Sequence, residues 1–189
     1  MSCILNIETS TSVCSVALSM DGEVLFAKAS FDGPSHAALL GVFVEEALSV
    51  LKKKGKKALD AVAVSSGPGS YTGLRIGVSV AKGLCFGFGI PLIGIHTLDI
   101  MAATVNSKGD SQIVSITDDC LYCAMLDARR MEVYAAIYDA SLKPVRESVR
   151  MLLIWKKGKF VSLATVLPNA NRSSLLRMPS LSRTSILLP

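Results

Sequence analysis

A turn with three glycines in seven residues, Gly67-Pro68-Gly69-Ser70-Tyr71-Thr72-Gly73, separates an apolar run from a run of small residues. Upstream, Leu59-Asp60-Ala61-Val62-Ala63-Val64 reads as a buried strand. Downstream, Leu74 to Leu84, with Gly77, Ala81 and Gly83, reads as a helix with one thin face. Glycine lets a backbone turn sharply and come close to a neighbour. The free N–H groups at the start of a helix can hold an anion. The loop lacks the closing Gly-Lys-Ser/Thr of a Walker A motif. Gly73 comes one residue too late for the dinucleotide fingerprint. Two readings remain open: an anion-holding loop, or a tight turn without a ligand. The thin face of Gly73, Gly77, Ala81 and Gly83 permits close approach of another helix, within the lobe or across a subunit boundary. On the second alternative, Gly77→Leu weakens pairing without unfolding.

Elements on either side give the architecture. Ile4 to Glu8 and Val13 to Met20 are β-prone, broken by Thr9-Ser10-Thr11-Ser12. Asp21-Gly22 then leads into Glu23 to Lys28, a strong hairpin signal that completes a three-stranded meander. Pro34-Ser35 opens a helix, with Ser35 as a plausible N-cap. Its stripe is Leu39, Leu40, Phe43, Val44, Ala47, Leu48 and Leu51. Lys52-Lys53-Lys54-Gly55 ends it, so those lysines have a structural explanation in the helix dipole. A strand over 59–64, a helix over about 72–88, a short strand Pro91 to Ile95 and a helix from Thr97 follow. Cys123 to Leu126, a turn at Asp127-Ala128-Arg129-Arg130, and Glu132 to Tyr138 then read as a second hairpin. The order βββαβαβα plus a new hairpin implies one complete lobe, residues 1–106, and the start of a second, residues 107–148.

Charge separates the remainder. Of twenty basic residues, six (Lys156, Lys157, Lys159, Arg172, Arg177, Arg183) lie from Met151 onward, with no acid among them. Residues 1–150 therefore hold fourteen basic against fifteen acidic residues, and the net charge of +5 comes from the six basic residues after position 150, within residues 149–189. We read this stretch as a divergent tail, out of frame or a basic extension. The five cysteines, without a secretory leader, fit reduced thiols in a cytoplasmic protein. Cys120-Leu121-Tyr122-Cys123 has no second CxxC and no histidine at finger spacing, and reads as a chance pair.

Three segments carry a resemblance. Ile4 to Thr11 is similar to the first phosphate hairpin of the actin/Hsp70/sugar-kinase superfamily. Ser66-Gly67-Pro68-Gly69-Ser70-Tyr71-Thr72-Gly73-Leu74-Arg75 resembles the glycine loop of the TsaB (YeaZ-like) family. Ala128-Arg129-Arg130-Met131-Glu132-Val133-Tyr134 resembles the start of that family's second lobe. The match spans about residues 3 to 147. It implies an α/β fold, an actin/Hsp70-like (RNase H-like) lobe with a mixed sheet flanked by helices, and an incomplete second lobe. It implies a catalytically silent partner of a TsaD-type subunit in making threonylcarbamoyladenosine in tRNA. A TsaE-type ATPase and a TsaC-type enzyme would supply ATP hydrolysis and the threonylcarbamoyl-adenylate.

The resemblance also implies a homodimer or heterodimer through the His36–Leu51 and Thr72–Phe88 helices. Contact candidates are His36, Leu39, Leu40, Arg75, Val78 and Lys82. Gly67, Gly69, Tyr71, Thr72 and Gly73 form the glycine loop. Contact with tRNA is expected to be indirect, and no membrane is involved. The related TsaD family carries a histidine pair four apart after its Pro-Leu-Ile-Gly strand. Here Thr97 and Met101 stand there, while His96 and His36 are the only histidines, so no metal site and no catalytic residue is expected. Glu8, where the superfamily often has a magnesium-organising acid, does not suffice for ATP hydrolysis. No cofactor is expected, with ATP or ADP held weakly or only at a complex interface. The rival readings are an ATP-dependent kinase, which needs a second phosphate hairpin, and a metallopeptidase, which needs the metal pair.

Overall fold

The computed structural model describes residues 2–31, 36–55, 58–107, 122–130, 132–139, 141–156 and 159–164. The chain divides into two units, Met1–Val105 and Asn106–Pro189.

The first unit holds β1 (Cys3–Glu8), β2 (Cys14–Met20), β3 (Glu23–Ser30), α1 (His36–Lys53), β4 (Ala61–Ser65), α2 (Tyr71–Phe88), β5 (Leu92–Ile95) and most of α3 (Thr97–Ser107). Its five-stranded sheet has the order β3-β2-β1-β4-β5. The β1, β2 and β3 meander is antiparallel, whereas β4 and β5 run parallel to β1. The sheet is thus mixed, as an actin-like lobe requires. Asp21 and Gly22 turn the β2–β3 hairpin with φ of 49° and 89°. Asp60 closes the start of the β1–β4 pair, its carboxylate accepting the N–H of Cys3 at 2.6 Å.

Helical period explains what α1 buries. Leu40, Phe43, Val44, Ala47 and Leu51 lie against Cys3, Leu5, Ile7, Val16 and Leu18 in one apolar cluster. His36 stands four residues before Leu40, on the same face, and is also buried. Gly55 ends the helix with φ 76° and donates to the carbonyl of Lys52. Residues 32–35, including the expected cap Ser35, lie outside the described residues. Helix α2 buries Gly73, Gly77, Ala81 and Cys85, a strict four-residue repeat, and ends at Gly89 in the left-handed region. Strand β5 is the sheet edge, and Leu92, Ile93 and Ile95 are exposed there.

In the second unit, β6 (Tyr122–Arg129), β7 (Glu132–Tyr138), β8 (Pro144–Lys156) and β9 (Lys159–Ala164) form an antiparallel meander. Strand β8 passes through residue 148 without a break. The apolar run Met151 to Trp155 is paired to β9, and Met151 and Leu152 also pair to β7. Residues 165–189 lie outside the described residues.

Burial pushes the Cys14 thiol above its ordinary range. The unfolded chain ionises this thiol first, so its contribution to stability is full below the ordinary thiol pKa and falls as pH rises through the folded value. Denaturation at pH 7 and about pH 10 is expected to show a smaller alkaline loss in Cys14→Ala than in the parent.

Two glycines of α2 give a second test. A Cβ on Gly77 would strike Oγ1 of Thr9, while one on Gly83 meets nothing. Gly77→Ala is expected to cost about 1–3 kcal/mol by overpacking. Gly83→Ala, in the same helix, is expected to gain about 0.5–1 kcal/mol. Urea denaturation of both variants reads the opposite signs.

Candidate functional site

Because β1, β4 and β5 are parallel, their carboxyl ends lie along one edge of the sheet. That edge is where open α/β sheets place their functional loops. Three segments follow these strand ends: the β1–β2 turn, the glycine loop and His96.

The glycine loop is tied to both neighbours. Ser66 N–H donates to the Ile95 carbonyl at 2.8 Å, and Thr97 N–H donates to the Gly67 carbonyl at 2.9 Å. On the other side, Ser70 N–H donates to the Ser10 carbonyl at 2.6 Å. Ser70 is also the N-cap of α2, its hydroxyl accepting from Gly73 N–H at 3.3 Å. Gly67 has φ 103°, which a side chain would strain. The Gly67–Pro68 peptide is cis.

Close approach explains the other glycines. A Cβ on Gly69 would strike the Ser10 carbonyl, and one on Gly73 would strike the Thr9 carbonyl. The thin face of α2 therefore lies against the lobe's own β1–β2 turn. The carbonyl oxygens of Thr9 and Ser10 stand where the positive end of the helix dipole attracts negative charge. This corrects the expectation that Gly77 faces a partner helix: Gly77→Leu would drive a side chain into Thr9. Tyr71 and Thr72 are exposed on the opposite side.

The phosphates of a nucleotide, which the superfamily implies, need converging N–H groups. At the β1–β2 turn, Ser10 N–H already donates to the Glu8 carboxylate at 2.6 Å. At the β6–β7 turn, Arg129 N–H already donates to the Asp127 carboxylate at 2.7 Å. The chain's own anions occupy both of these donors.

The contact candidates separate by exposure. His36 is 5% exposed and Leu40 1% exposed, so both face the lobe's own core rather than a partner. His36 Nε2 donates to the Thr11 carbonyl at 3.0 Å, pinning the β1–β2 turn from the α1 side. Leu39 and Val78 are half-buried, and Arg75 and Lys82 are exposed. Along α2, Tyr71, Arg75, Lys82 and Phe86 share the outward face, with Phe86 92% exposed. The Arg75 guanidinium lies 5.5 Å from the Tyr71 ring centre. Phe86 was missed as a contact candidate, although it falls four residues after Lys82. His96 is exposed, and its carbonyl accepts from Asp99 and Ile100 at the start of α3. Thr97 is buried at that start. Cys120 lies outside the described residues. Among the described residues, no three His, Cys, Asp or Glu side chains group as metal ligands.

Residues 32–153 match the family model described as TsaD: tRNA N6-adenosine threonylcarbamoyltransferase. The chain is 35% identical over 181 residues to the tRNA threonylcarbamoyladenosine biosynthesis protein TsaB of Escherichia coli, covering 86% of this chain and 71% of that protein. The chain belongs to the TsaB family. The Haemophilus influenzae TsaB is 34% identical over 147 residues, or 78% of this chain and 56% of that protein. The solved structure of YeaZ from Pseudomonas aeruginosa superposes with a TM-score of 0.64 at 29% identity, covering 79% of this chain and 66% of that one. Measured against these TsaB relatives, the chain spans between about half and three quarters of their length. Among the described residues, no helix is long and apolar enough to cross a membrane.

Removing the cap of α2 tests the joint at the glycine loop. Ser70→Ala is expected to cost about 1 kcal/mol, read as a lower urea midpoint with an unchanged slope.

Proposed function

We propose that the chain is a non-catalytic subunit in the synthesis of threonylcarbamoyladenosine in tRNA, acting in the cytoplasm beside a TsaD-type subunit and a TsaE-type ATPase. Membership of the TsaB family supports the pathway. The observation that carries the pairing is the outward face of α2. There Tyr71, Arg75, Lys82 and Phe86 expose two aromatic rings and two cations on one rigid helix. Exposed aromatic and arginine side chains are typical anchors of protein interfaces. Leu39 on α1 and Val78 on α2 are half-buried and packed against the lobe's own core. The self-capped turns at Glu8 and Asp127 support a role without nucleotide chemistry in this chain.

Size-exclusion chromatography with light scattering, on the chain alone and mixed with the TsaD-type subunit of the same cell, tests the reading. A one-to-one complex is expected. A chain shown to be folded by circular dichroism, yet forming no complex, would sink it. Arg75→Glu combined with Lys82→Glu is expected to weaken the complex at least about tenfold, because reversing charges at an interface opposes both encounter and docking. Isothermal titration calorimetry reads that change.

A further inference from the structure

Two consecutive residues at the β6–β7 turn, Arg129 and Arg130, have φ of 65° and 54°. In that region the Cβ crowds the following carbonyl, so glycine, asparagine and aspartate fill it far more readily than arginine. The β2–β3 turn shows the relaxed solution, with Asp21 and Gly22. Leu142 also has a positive φ, but it is half-buried. Arg129 and Arg130 are both exposed, so no burial holds them. The Asp127 carboxylate fixes the backbone instead, through Arg129 N–H.

Among the described residues, neither guanidinium has a hydrogen bond or ion pair that would explain the choice of arginine. The nearby acids are otherwise placed. Asp127 is engaged with backbone, and Glu132, in register with Arg129, is half-buried. A merely solvated charge needs no left-handed backbone, since any relaxed strand position would carry it. Two exposed arginines adjacent in sequence at a hairpin tip suit phosphate oxygens, which arginine grips in bidentate fashion. With the turn N–H already taken, the grip comes from side chains alone.

We propose that the Arg129–Arg130 turn contacts the phosphodiester backbone of RNA. The tip is open to solvent, which suits a polymer whose successive contacts add together better than a single small phosphate. The sequence beyond Met151 adds six basic residues and no acid. The choice of RNA rests on the proposed tRNA-modifying role, but the test does not involve the TsaD-type subunit.

The experiment is fluorescence anisotropy of labelled bulk tRNA with the full chain, from about 50 to about 200 mM salt. Arg129→Asn with Arg130→Gly is expected to weaken binding about tenfold at the low-salt end and to flatten the log–log salt slope by about one to two. The melting midpoint of this variant is expected to stay level or rise by about 2–4 °C, because the new residues accept the turn. Arg129→Lys with Arg130→Lys retains the slope. The basic tail is common to every variant, so differences isolate the turn. Unchanged affinity and slope in the Asn/Gly variant would overturn the proposal. A fall in its melting midpoint would overturn the strain argument behind it. Displacement of tRNA by inorganic pyrophosphate at equal phosphate concentration would overturn the polymer in favour of a small anion. Complex formation with the TsaD-type subunit, measured separately, is expected to be unaffected, so failure here leaves the pairing standing.

Discussion

The contact between the β1–β2 turn and the bare face of α2 organises the first unit. Thr9 and Ser10 present carbonyl oxygens to the helix start, Gly69 and Gly73 leave the space for them, and Gly77 leaves space for the Thr9 side chain. Ser70 joins the two, donating its N–H to Ser10 and capping α2 with its hydroxyl. His36 holds the same turn from α1. A fold that in principle could place an anion at this helix start has filled the position with its own backbone. The outward side of α2 is thereby released from any structural duty in the lobe, and carries exposed cations and aromatic rings.

Much of this architecture was legible in the sequence because each element has a local cause. Asp21-Gly22 marks a hairpin by its tolerance of positive φ. Lys52 to Gly55 marks the end of α1 by charge and by glycine. The stripe of α1 follows a helical period, and that period also held the answer for His36. A residue four before Leu40 shares its face, so the histidine is buried for the same reason the leucine is.

What was not legible required knowledge of neighbours. Gly77 announces that something approaches closely, but a glycine does not name what approaches. The partner, Thr9, is remote in sequence and reaches it only through the parallel pairing of β1 with β4. Strand β8 was not legible for a different reason. Met151 to Trp155 is continuously apolar, and such a run has no period to distinguish a strand from a buried helix. Its backbone partners on β7 and β9 decide the matter. Arg129 and Arg130 read as part of a turn in the sequence, but their left-handed backbone is visible only in three dimensions.

The parallel pairing of β1 with β4 also has a consequence for synthesis. The β1–β2–β3 meander consists of local antiparallel contacts and can form early in chain growth. Its first turn is completed only by Ser70 and the glycines of α2, after α1 and β4 have emerged. Until then the Thr9 and Ser10 carbonyls are left to water. The nascent chain therefore closes its most important joint late, across a long loop whose entropy must be lost at that moment.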